Sequence, residues 1–320
     1  MKNSVVMATY NGEKYIIEQL DSIRNQTLPP DEVIICDDCS TDNTRKIIED
    51  YIIKYNLAGW NLYINDVNIG FYDNFLKALR LCTGDIIYLS DQDDVWDINK
   101  IKLFSDQYKK KSELIMIQSN FKYIDGMGNE IGKQENYHNY CSGDFIELSI
   151  YDMCRFAGSG YTMSFKRSVL NKIFILHLEC QKNVFQFHDV MLGLVAVSEG
   201  KCLLIRKVVD NHRIHETNVT KKREKSYTLG RTKNMQINLL IRRFYYFNIM
   251  ANCTSDIKKR SVFLDFASFS LMRKMLIEKF QIKKFVYLAQ KRKMYASKVG
   301  IIVDCFYSVG LEKVVCLFMK

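Results

Sequence analysis

The chain has 320 residues, 48% of them hydrophobic and 26% charged, and these proportions are typical of globular proteins. The opening MKNSVVMATYNG reaches polar residues and glycine too soon for a signal peptide, and no apolar run approaches the roughly 20 residues that span a bilayer. The 10 cysteines lack the regular spacing of a secreted disulfide framework. We therefore expect reduced thiols in a cytoplasmic protein.

The net charge of +10 is distributed unevenly along the chain. Residues 221–320 contain 22 lysines and arginines against 6 acidic residues, whereas the preceding residues contain 24 against 30. A basic C-terminal third joined to a mildly acidic first part indicates an anionic surface as partner. Nucleic acid and the inner face of a membrane are both candidates.

Apolar runs alternate with segments of helical periodicity through the first ninety or so residues. The pattern predicts strands at residues 4–9, 33–36, 62–64 and 85–89, and helices at 13–26, 47–52 and 71–81. Ser40 or Thr41 can cap the second helix. Because strands that alternate with helices are joined by right-handed crossovers, we expect a mostly parallel sheet.

Polar clusters follow three of these strands at the points where the strands end. The first strand runs into Thr9-Tyr10-Asn11-Gly12, the second into Asp37-Asp38, and the fourth into Asp91-Gln92-Asp93-Asp94. Parallel sheets bind ligands beyond the carboxyl ends of their strands. We therefore expect the three clusters to converge in one cleft.

The acidic cluster at residues 91–94 suits a hard divalent cation better than the other ligands we considered. The chain lacks the GxGxxG, GxxxxGK[ST] and GxSxG patterns of dinucleotide, nucleoside triphosphate and hydrolase sites. Clustered carboxylates favour Mg²⁺ or Mn²⁺, with substrate phosphates completing the coordination shell. The alternative is that these carboxylates cap a helix beginning near Asp97. Convergence with Asp37-Asp38 favours the metal.

Several segments form a combination that is more specific than any of them alone. They are ATYNG with Tyr15, Glu18, Gln19 and Leu20, the CDDCSTDNT segment, the Asn68-Gly70-Asn74 group, LSDQDDVW, FHDVMLGLVAVSEGK and RIHETN. Together they resemble the family 2 inverting glycosyltransferases of bacteria, and the SDQDDVW form is similar to the rhamnosyltransferase-like branch. The resemblance covers roughly residues 3–220.

The resemblance implies an α/β protein of the GT-A type, with a doubly wound, mostly parallel sheet and helices on both faces. Residues 1–220 would form the nucleotide-sugar-binding and catalytic domain, followed by a basic, mainly helical region at 221–320. The expected donor is a UDP- or dTDP-sugar, with rhamnose suggested by the branch. The expected acceptor is a hydroxyl of a lipid-linked oligosaccharide or polysaccharide in cell-surface polysaccharide synthesis.

The resemblance also implies roles for individual residues. Asp93 and Asp91 would bind the Mg²⁺ or Mn²⁺, and His215 would be a further metal or diphosphate contact. Asp189 matches the general base, and it could at the same time cap the apolar helix that follows it. The residues expected to bind the nucleotide sugar are Thr9, Tyr10, Asn11, Asp38, Asn74 and Asp91. Among them Asp38 would accept a hydrogen bond from a pyrimidine N–H, which favours uracil or thymine.

Residues 228–320 look helical, with basic residues recurring among aromatic and aliphatic ones, as in interfacial helices. We expect a peripheral protein at the inner face of the cell membrane, with Phe244, Tyr245 and Phe247 inserting into the bilayer. A plain helical packing domain with a basic exterior is the alternative. A nucleic-acid- or membrane-binding scaffold without catalysis is the competing function. No zinc-finger or RNA-binding motif supports nucleic acid as the partner.

Overall fold

The computed structural model describes residues 1–132, 143–155, 158–179, 188–216, 232–297 and 299–311. The chain divides into two compact units. The first unit comprises residues 1–148, 158–179 and 186–214, and the second comprises 149–157, 180–185 and 215–320.

Strands belong to the first unit, and helices are present in both. The strands are β1 (Asn3–Thr9), β2 (Glu32–Asp37), β3 (Trp60–Ile64), β4 (Ile86–Ser90), β5 (Val95–Trp96), β6 (Leu114–Ile124), β7 (Glu130–Ile131), β8 (Phe145–Leu148), β9 (Met163–Lys166) and β10 (Lys201–Arg213). The helices are α1 (Ile16–Arg24), α2 (Thr44–Lys54), α3 (Phe71–Leu81), α4 (Lys100–Lys110), α5 (Ile150–Arg155), α6 (Leu170–Glu179), α7 (His188–Glu199), α8 (Lys233–Asn252), α9 (Ile257–Glu278), α10 (Ile282–Gln290) and α11 (Gly300–Ser308).

The sheet of the first unit has the strand order β3-β2-β1-β4-β9-β6-β10-β5. Strands β1 to β4 are mutually parallel, as are β6 and β10, while the short β9 and β5 run antiparallel to their neighbours. The predicted α/β architecture with a mostly parallel sheet is therefore confirmed.

Both faces of the parallel strands are buried. Val5, Met7, Val33 and Ile35 point to one face, where they share a core with α1, α2 and α4. The intervening apolar residues of these strands are also buried, and α3 packs against β1 and β2. Strands covered on both faces need continuous apolar runs instead of alternation, which is what the sequence provides.

Two helix starts differ from the sequence predictions. The prediction that Ser40 or Thr41 caps α2 is wrong, because the helix begins at Thr44 after Asn43 and the Ser40 hydroxyl instead donates to Asp37 Oδ2 at 2.5 Å. Helix α4 begins at Lys100, and β5 separates it from the acidic cluster at 91–94. The alternative in which these carboxylates cap a helix near Asp97 is therefore also wrong.

The strand order places the carboxyl ends of β2, β1 and β4 side by side. Chain progression runs from β1 outward through β2 to β3, and then returns to the other side of β1 at β4. Such a reversal opens a crevice at the carboxyl edge of an α/β sheet. The three polar clusters therefore lie along one edge, beside the reversal.

The second unit is helical in its described part and has its own core. Buried phenylalanines form much of that core, and a buried ion pair joins Arg273 of α9 to Asp304 of α11 at 2.7 Å. Phe247 is fully buried among them, so the prediction that it inserts into a bilayer is wrong. Tyr245, by contrast, is 53% exposed. None of the helices in the described ranges is long and apolar enough to cross a membrane.

Candidate active site

The loop that follows β4 carries Asp91 to Asp94, which we call the acidic loop, and its neighbours hold it from several sides. Gln19 of α1 donates through Nε2 to Ser90 Oγ at 2.7 Å, where β4 ends. The Gln92 amide bonds both backbone groups of Tyr10, accepting from its N–H at 2.8 Å and donating to its carbonyl at 3.0 Å. A Cβ at Gly12 would lie 2.3 Å from Gln92 Oε1, so a side chain at this position would displace the Gln92 amide.

Asp94 anchors the acidic loop to the end of β10. Its side chain is fully buried, and Oδ1 lies 2.8 Å from His212 Nδ1 and accepts from the Arg213 backbone N–H at 3.0 Å. The other oxygen, Oδ2, is buried and has no hydrogen-bond partner among the residues that the structure describes. A buried carboxylate oxygen in that condition is costly unless a cation or water satisfies it.

His212 places a positive charge among the carboxylates of the acidic loop. Burial lowers the pKa of this imidazole, but the adjacent Asp94, with Asp91 and Asp93, outweighs burial and raises the pKa to about 9. His212 is therefore protonated at neutral pH. Its ring stacks on Tyr161 with centroids 4.3 Å apart and planes 3° from parallel.

A buried ion pair lies next to this stack. Lys100 pairs with Asp210 and also donates to the Tyr161 carbonyl at 2.7 Å. Ser119 donates to the other oxygen of Asp210, so both carboxylate oxygens are bonded. Burial lowers the pKa of Lys100 and raises that of Asp210, while their mutual attraction opposes both shifts. This pair fixes the backbone of the residue on which His212 stacks.

Asp91 is the member of the acidic loop whose ionisation is most disfavoured. Loss of hydration raises its pKa well above the usual range, and the charges of Asp94, Asp93 and Asp189 raise it further, while His212 opposes them. A carboxylate crowded by three others is the setting in which a divalent cation binds favourably.

Asp189 lies in the first turn of α7 and is partly exposed. Its Oδ1 accepts from the Val190 N–H at 2.7 Å, but Asp189 is the second residue of a helix that begins at His188, so the prediction that it is the N-cap is wrong. A Cβ at Gly160 would lie 3.5 Å from Asp189 Cβ and 3.1 Å from His188 Nε2. Gly160 thus lets the turn at Gly160–Thr162 approach α7 closely.

His188 is buried beside Asp189. Its ring stacks on Phe75 with centroids 4.1 Å apart, and burial lowers the pKa of the imidazole to about 3. Neither ring nitrogen has a hydrogen-bond partner in the described part of the chain. The imidazole is therefore neutral at physiological pH.

The carboxylate of Asp38 organises the loop between β3 and α3. Its oxygens accept from Asn65 Nδ2 and from the backbone N–H groups of Ile69 and Gly70, each at 2.8 Å. Asn74 is buried, and its amide donates to the Cys36 carbonyl at 2.7 Å while its oxygen accepts from Asn65 at 3.0 Å. Asn74 therefore supports Asp38 through Asn65.

The three residues at the carboxyl end of β1 differ in how exposed their side chains are. Thr9 is buried and donates to Asp37 Oδ2 at 2.9 Å. Asn11 has a φ of 49°, and its side chain accepts from the Thr41 backbone N–H at 2.8 Å. The Tyr10 side chain is 47% exposed at the carboxyl edge of the sheet. Tyr10 is thus the one of the three that presents a large side chain to a ligand.

The predicted site residues other than His215 belong to one of the two units. Thr9, Tyr10, Asn11, Asp38, Asp91, Asp93 and Asp189 all belong to the first unit, along with Asn74. His215 is partly exposed and belongs to the second unit. No group of three or more metal-ligating side chains occurs within the described ranges.

The sequence prediction missed the residues that hold the acidic loop. Gln92, Asp94, His212 and Arg213 were not among the predicted site residues. Glu18 and Gln19 were quoted as part of the resemblance, but without a role. The available signal was the RIHETN segment, which begins at Arg213 and directly follows His212.

Comparison with known proteins gives a family match over the same part of the chain. Residues 4–174 match the model of glycosyl transferase family 2. The dTDP-rhamnosyl transferase RfbG of Shigella flexneri is 31% identical over 225 residues, which are 66% of this chain and 72% of that protein. The poly(ribitol-phosphate) beta-N-acetylglucosaminyltransferase TarS of Staphylococcus aureus is 38% identical over 135 residues, 40% of this chain. This chain spans only 22% of the length of TarS.

Solved structures agree on the fold. TarS 1–349 in complex with UDP-GlcNAc superposes with a TM-score of 0.66 at 15% identity, covering 99% of this chain and 91% of that one. The mannosyltransferase PcManGT of Pyrobaculum calidifontis, in complex with GDP-Man and Mn²⁺, has a TM-score of 0.52 at 14% identity. It covers 99% of this chain and 86% of that one. At these identities the likeness establishes a shared fold.

Proposed function

The chain belongs to glycosyl transferase family 2, and we propose that it is an inverting, metal-dependent enzyme of cell-surface polysaccharide synthesis. Membership makes it a transferase that uses nucleotide-sugar donors. The proposal adds a UDP- or dTDP-sugar as the donor and a hydroxyl of a lipid-linked oligosaccharide or polysaccharide as the acceptor. We assign catalysis to residues 1–220. The observation that carries the proposal is that Asp189 and the end of β4 both adjoin Gly160, where a Cβ would lie 3.5 Å from Asp189 Cβ and 3.6 Å from Leu89 Cδ1.

Asp189 is the proposed general base. The acceptor hydroxyl has a pKa far above neutrality, so its proton must be removed as its oxygen attacks the anomeric carbon. In a single displacement, the new bond from that oxygen forms while the bond from the anomeric carbon to the diphosphate oxygen breaks. The proton goes to the Asp189 carboxylate, and the electron pair leaves with the diphosphate. Attack from the face opposite the leaving group inverts the anomeric configuration.

The acidic loop fits a divalent cation. Asp91 and Asp93 are partly exposed carboxylates at the sheet edge. Burial and the charges of neighbouring carboxylates raise the pKa of Asp91. Asp94 Oδ2 is buried and has no hydrogen-bond partner in the described structure. Asp93 and Asp91 would hold Mg²⁺ or Mn²⁺, and His215 is proposed as a further metal or diphosphate contact. When bound, the cation would stabilise the negative charge that develops on the leaving diphosphate.

The nucleoside is proposed to bind along the loops after β1 and β2. Tyr10 offers an exposed ring, and Asp38 offers carboxylate oxygens for a pyrimidine N–H, which favours uracil or thymine. Three protein hydrogen bonds already hold the Asp38 carboxylate, out of about four lone-pair sites. Thr9, Asn11 and Asn74 support the pocket through the neighbours that they hold.

Rhamnose is the proposed sugar, on the likeness to RfbG, whose name specifies a dTDP-rhamnosyl donor. TarS, whose structure contains UDP-GlcNAc, makes N-acetylglucosamine the competing sugar. A panel of UDP- and dTDP-sugars incubated with purified protein and Mn²⁺, with and without EDTA, tests both. Release of nucleotide from one donor, abolished by EDTA, supports the proposal. Full activity in EDTA would remove the metal from it.

The basic second unit is proposed to bring the enzyme to an anionic membrane surface. At the α9–α10 corner, Phe280 is 45% and Ile282 is 63% exposed, next to exposed Lys279 and Lys283. Apolar side chains flanked by cations suit an anionic bilayer, where each well-placed lysine adds about 1 kcal/mol. Binding should weaken with salt but persist, because salt does not screen apolar insertion.

Flotation with vesicles of anionic and of neutral lipid tests the membrane surface. Replacing Phe280 and Ile282 by serine should reduce binding to anionic vesicles, whereas Ile53→Ser should not. Ile53 is a matched control because it is 77% exposed on α2 of the first unit. If the protein ignores anionic vesicles at low salt but binds RNA tightly, the scaffold alternative gains and the membrane proposal fails.

A further inference from the structure

Arg213, the last residue of β10, is fully buried and bonds directly to the backbone of the acidic loop. Its side-chain Nε donates to the Asp93 carbonyl at 2.9 Å. Its backbone N–H donates to Asp94 Oδ1 at 3.0 Å. Arg213 thus holds two successive residues of the loop, Asp93 and Asp94. The carboxylate of Asp93 is the proposed metal ligand.

The far side of the guanidinium is held just as closely. Its two terminal nitrogens donate to Glu18 Oε2 at 2.5 Å and to the Asp125 carbonyl at 3.2 Å. The guanidinium carbon lies 4.8 Å from the centre of the Tyr15 ring. The contacts therefore come from α1, from the turn after β6 and from the acidic loop. They hold the guanidinium group, which stays positively charged, in one orientation.

This arrangement explains two residues that the family resemblance quoted without a role. Tyr15 provides the ring that faces the guanidinium, and Glu18 provides its countercharge. A lysine at position 213 would keep the charge but could not donate in several fixed directions at once. The position therefore uses the planar fork of arginine as well as its charge.

The acidic loop is held on its other side by different contacts. Gln92 is bonded to Tyr10, while Asn211 donates through its amide to the Val95 carbonyl at 2.8 Å. Those contacts fix where the loop lies. Arg213 adds a hydrogen bond to the Asp93 carbonyl itself, next to the Cα that carries the proposed ligand.

We propose that Arg213, supported by Glu18 and Tyr15, is a positioning residue that sets the direction of the Asp93 carboxylate and thereby the affinity for the metal–diphosphate pair. Arg213 itself is buried and acts through Asp93. The inference rests on the proposed function, because it presupposes a divalent cation at Asp93. Residues that orient metal ligands from behind typically change metal affinity by 10- to 100-fold when replaced.

The test measures Mn²⁺ binding to the full-length protein in the presence of UDP, with dTDP as a second probe, by the electron paramagnetic resonance signal of free Mn²⁺. Arg213→Lys should weaken Mn²⁺ binding by about tenfold or more. Glu18→Gln, at a half-exposed position that tolerates replacement, should weaken it by a smaller factor in the same direction. Arg24→Lys, on the same helix as Glu18 but bonded to Tyr51, is the matched control and should bind normally.

A second measurement separates positioning from general damage. In both variants the Mn²⁺ concentration for half-maximal donor turnover should rise, and saturating Mn²⁺ should restore most of kcat. If both variants bind Mn²⁺ with UDP as tightly as the wild type, or if saturating Mn²⁺ does not restore kcat, the inference is wrong while the proposed metal site stands. If the wild type binds no Mn²⁺ with either nucleotide, the metal site fails, and this inference fails with it.

Discussion

Replacement of His212 by glutamine tests how the acidic loop tolerates its own charge. Glutamine keeps a hydrogen-bond donor for Asp94 but cannot become positive. The pKa of His212 is raised to about 9 in the folded protein, against about 6.5 for an unfolded chain. Stability gained in this way is fully present below about pH 6.5 and is lost as the pH rises through about 9.

The size of the effect follows from the shift. About 2.5 pKa units correspond to about 3 kcal/mol of unfolding free energy. His212 is only 6% exposed, so solvent screening reduces this value little. We therefore compare the unfolding free energies of the wild type and His212→Gln at two pH values. The advantage of the wild type should be about 3 kcal/mol smaller at about pH 10 than at about pH 6.5. Titration of groups away from His212 is common to both proteins and cancels in the difference.

Tryptophan fluorescence during urea unfolding measures this difference. The protein contains two tryptophans, Trp60 and Trp96, and both lie in the first unit, so the signal reports on the unit that contains the site. A stability difference between the two proteins that stays constant across this pH range would refute the reasoning. It would mean that His212 is neutral beside Asp94 when the protein is folded.

Three further predictions concern single carboxylates. Asp93→Asn should abolish Mn²⁺-linked UDP binding without changing the urea midpoint of unfolding. Asp106→Asn on the exposed face of α4 is the control and should change neither the binding nor the midpoint. Normal Mn²⁺ binding by Asp93→Asn would contradict the assignment of Asp93 as a ligand. Asp189→Asn should lower kcat by about 10² or more with little change in donor KM, and a selective loss of donor affinity would place Asp189 elsewhere. Asp210→Asn should destabilise the first unit by about 3–5 kcal/mol, because it leaves Lys100 buried without its countercharge. Asp50→Asn removes an exposed pair with Lys46 and should cost less than about 1 kcal/mol. Equal urea midpoints for the last two variants would contradict that ranking.

Hydrophobic pattern was sufficient to predict β1 to β4 and the helices between them, although the parallel pair β6 and β10 was not predicted. Helix α3 begins and ends where the periodicity of residues 71–81 places it, and β1, β2 and β4 lie within one or two residues of their predicted bounds. These elements have unbroken apolar runs or an apolar stripe, because both faces of the sheet are covered. The cap of α2 was mispredicted because the Ser40 hydroxyl is bonded to Asp37, a contact between neighbours that competes with capping.

The supports of the site could not be read from the sequence in the same way. Arg213 and His212 lie more than a hundred residues from the acidic loop in sequence and meet it only because β10 pairs with β5. That pairing is antiparallel and two residues long, too short to leave a pattern. A charged residue is also rarely expected to be fully buried, so sequence reasoning assigns Arg213 to the surface.

The stereochemistry of transfer is the most direct test of the proposed mechanism. The purified protein is supplied with Mn²⁺, an accepted nucleotide sugar and a lipid-linked acceptor. The one-bond coupling between the anomeric carbon and its proton, measured by NMR on the glycoside formed, should show the configuration opposite to that of the donor. Asp189→Asn should make the same product far more slowly. A product with the donor's configuration retained, or transfer that does not depend on Asp189, would contradict displacement with Asp189 as the base.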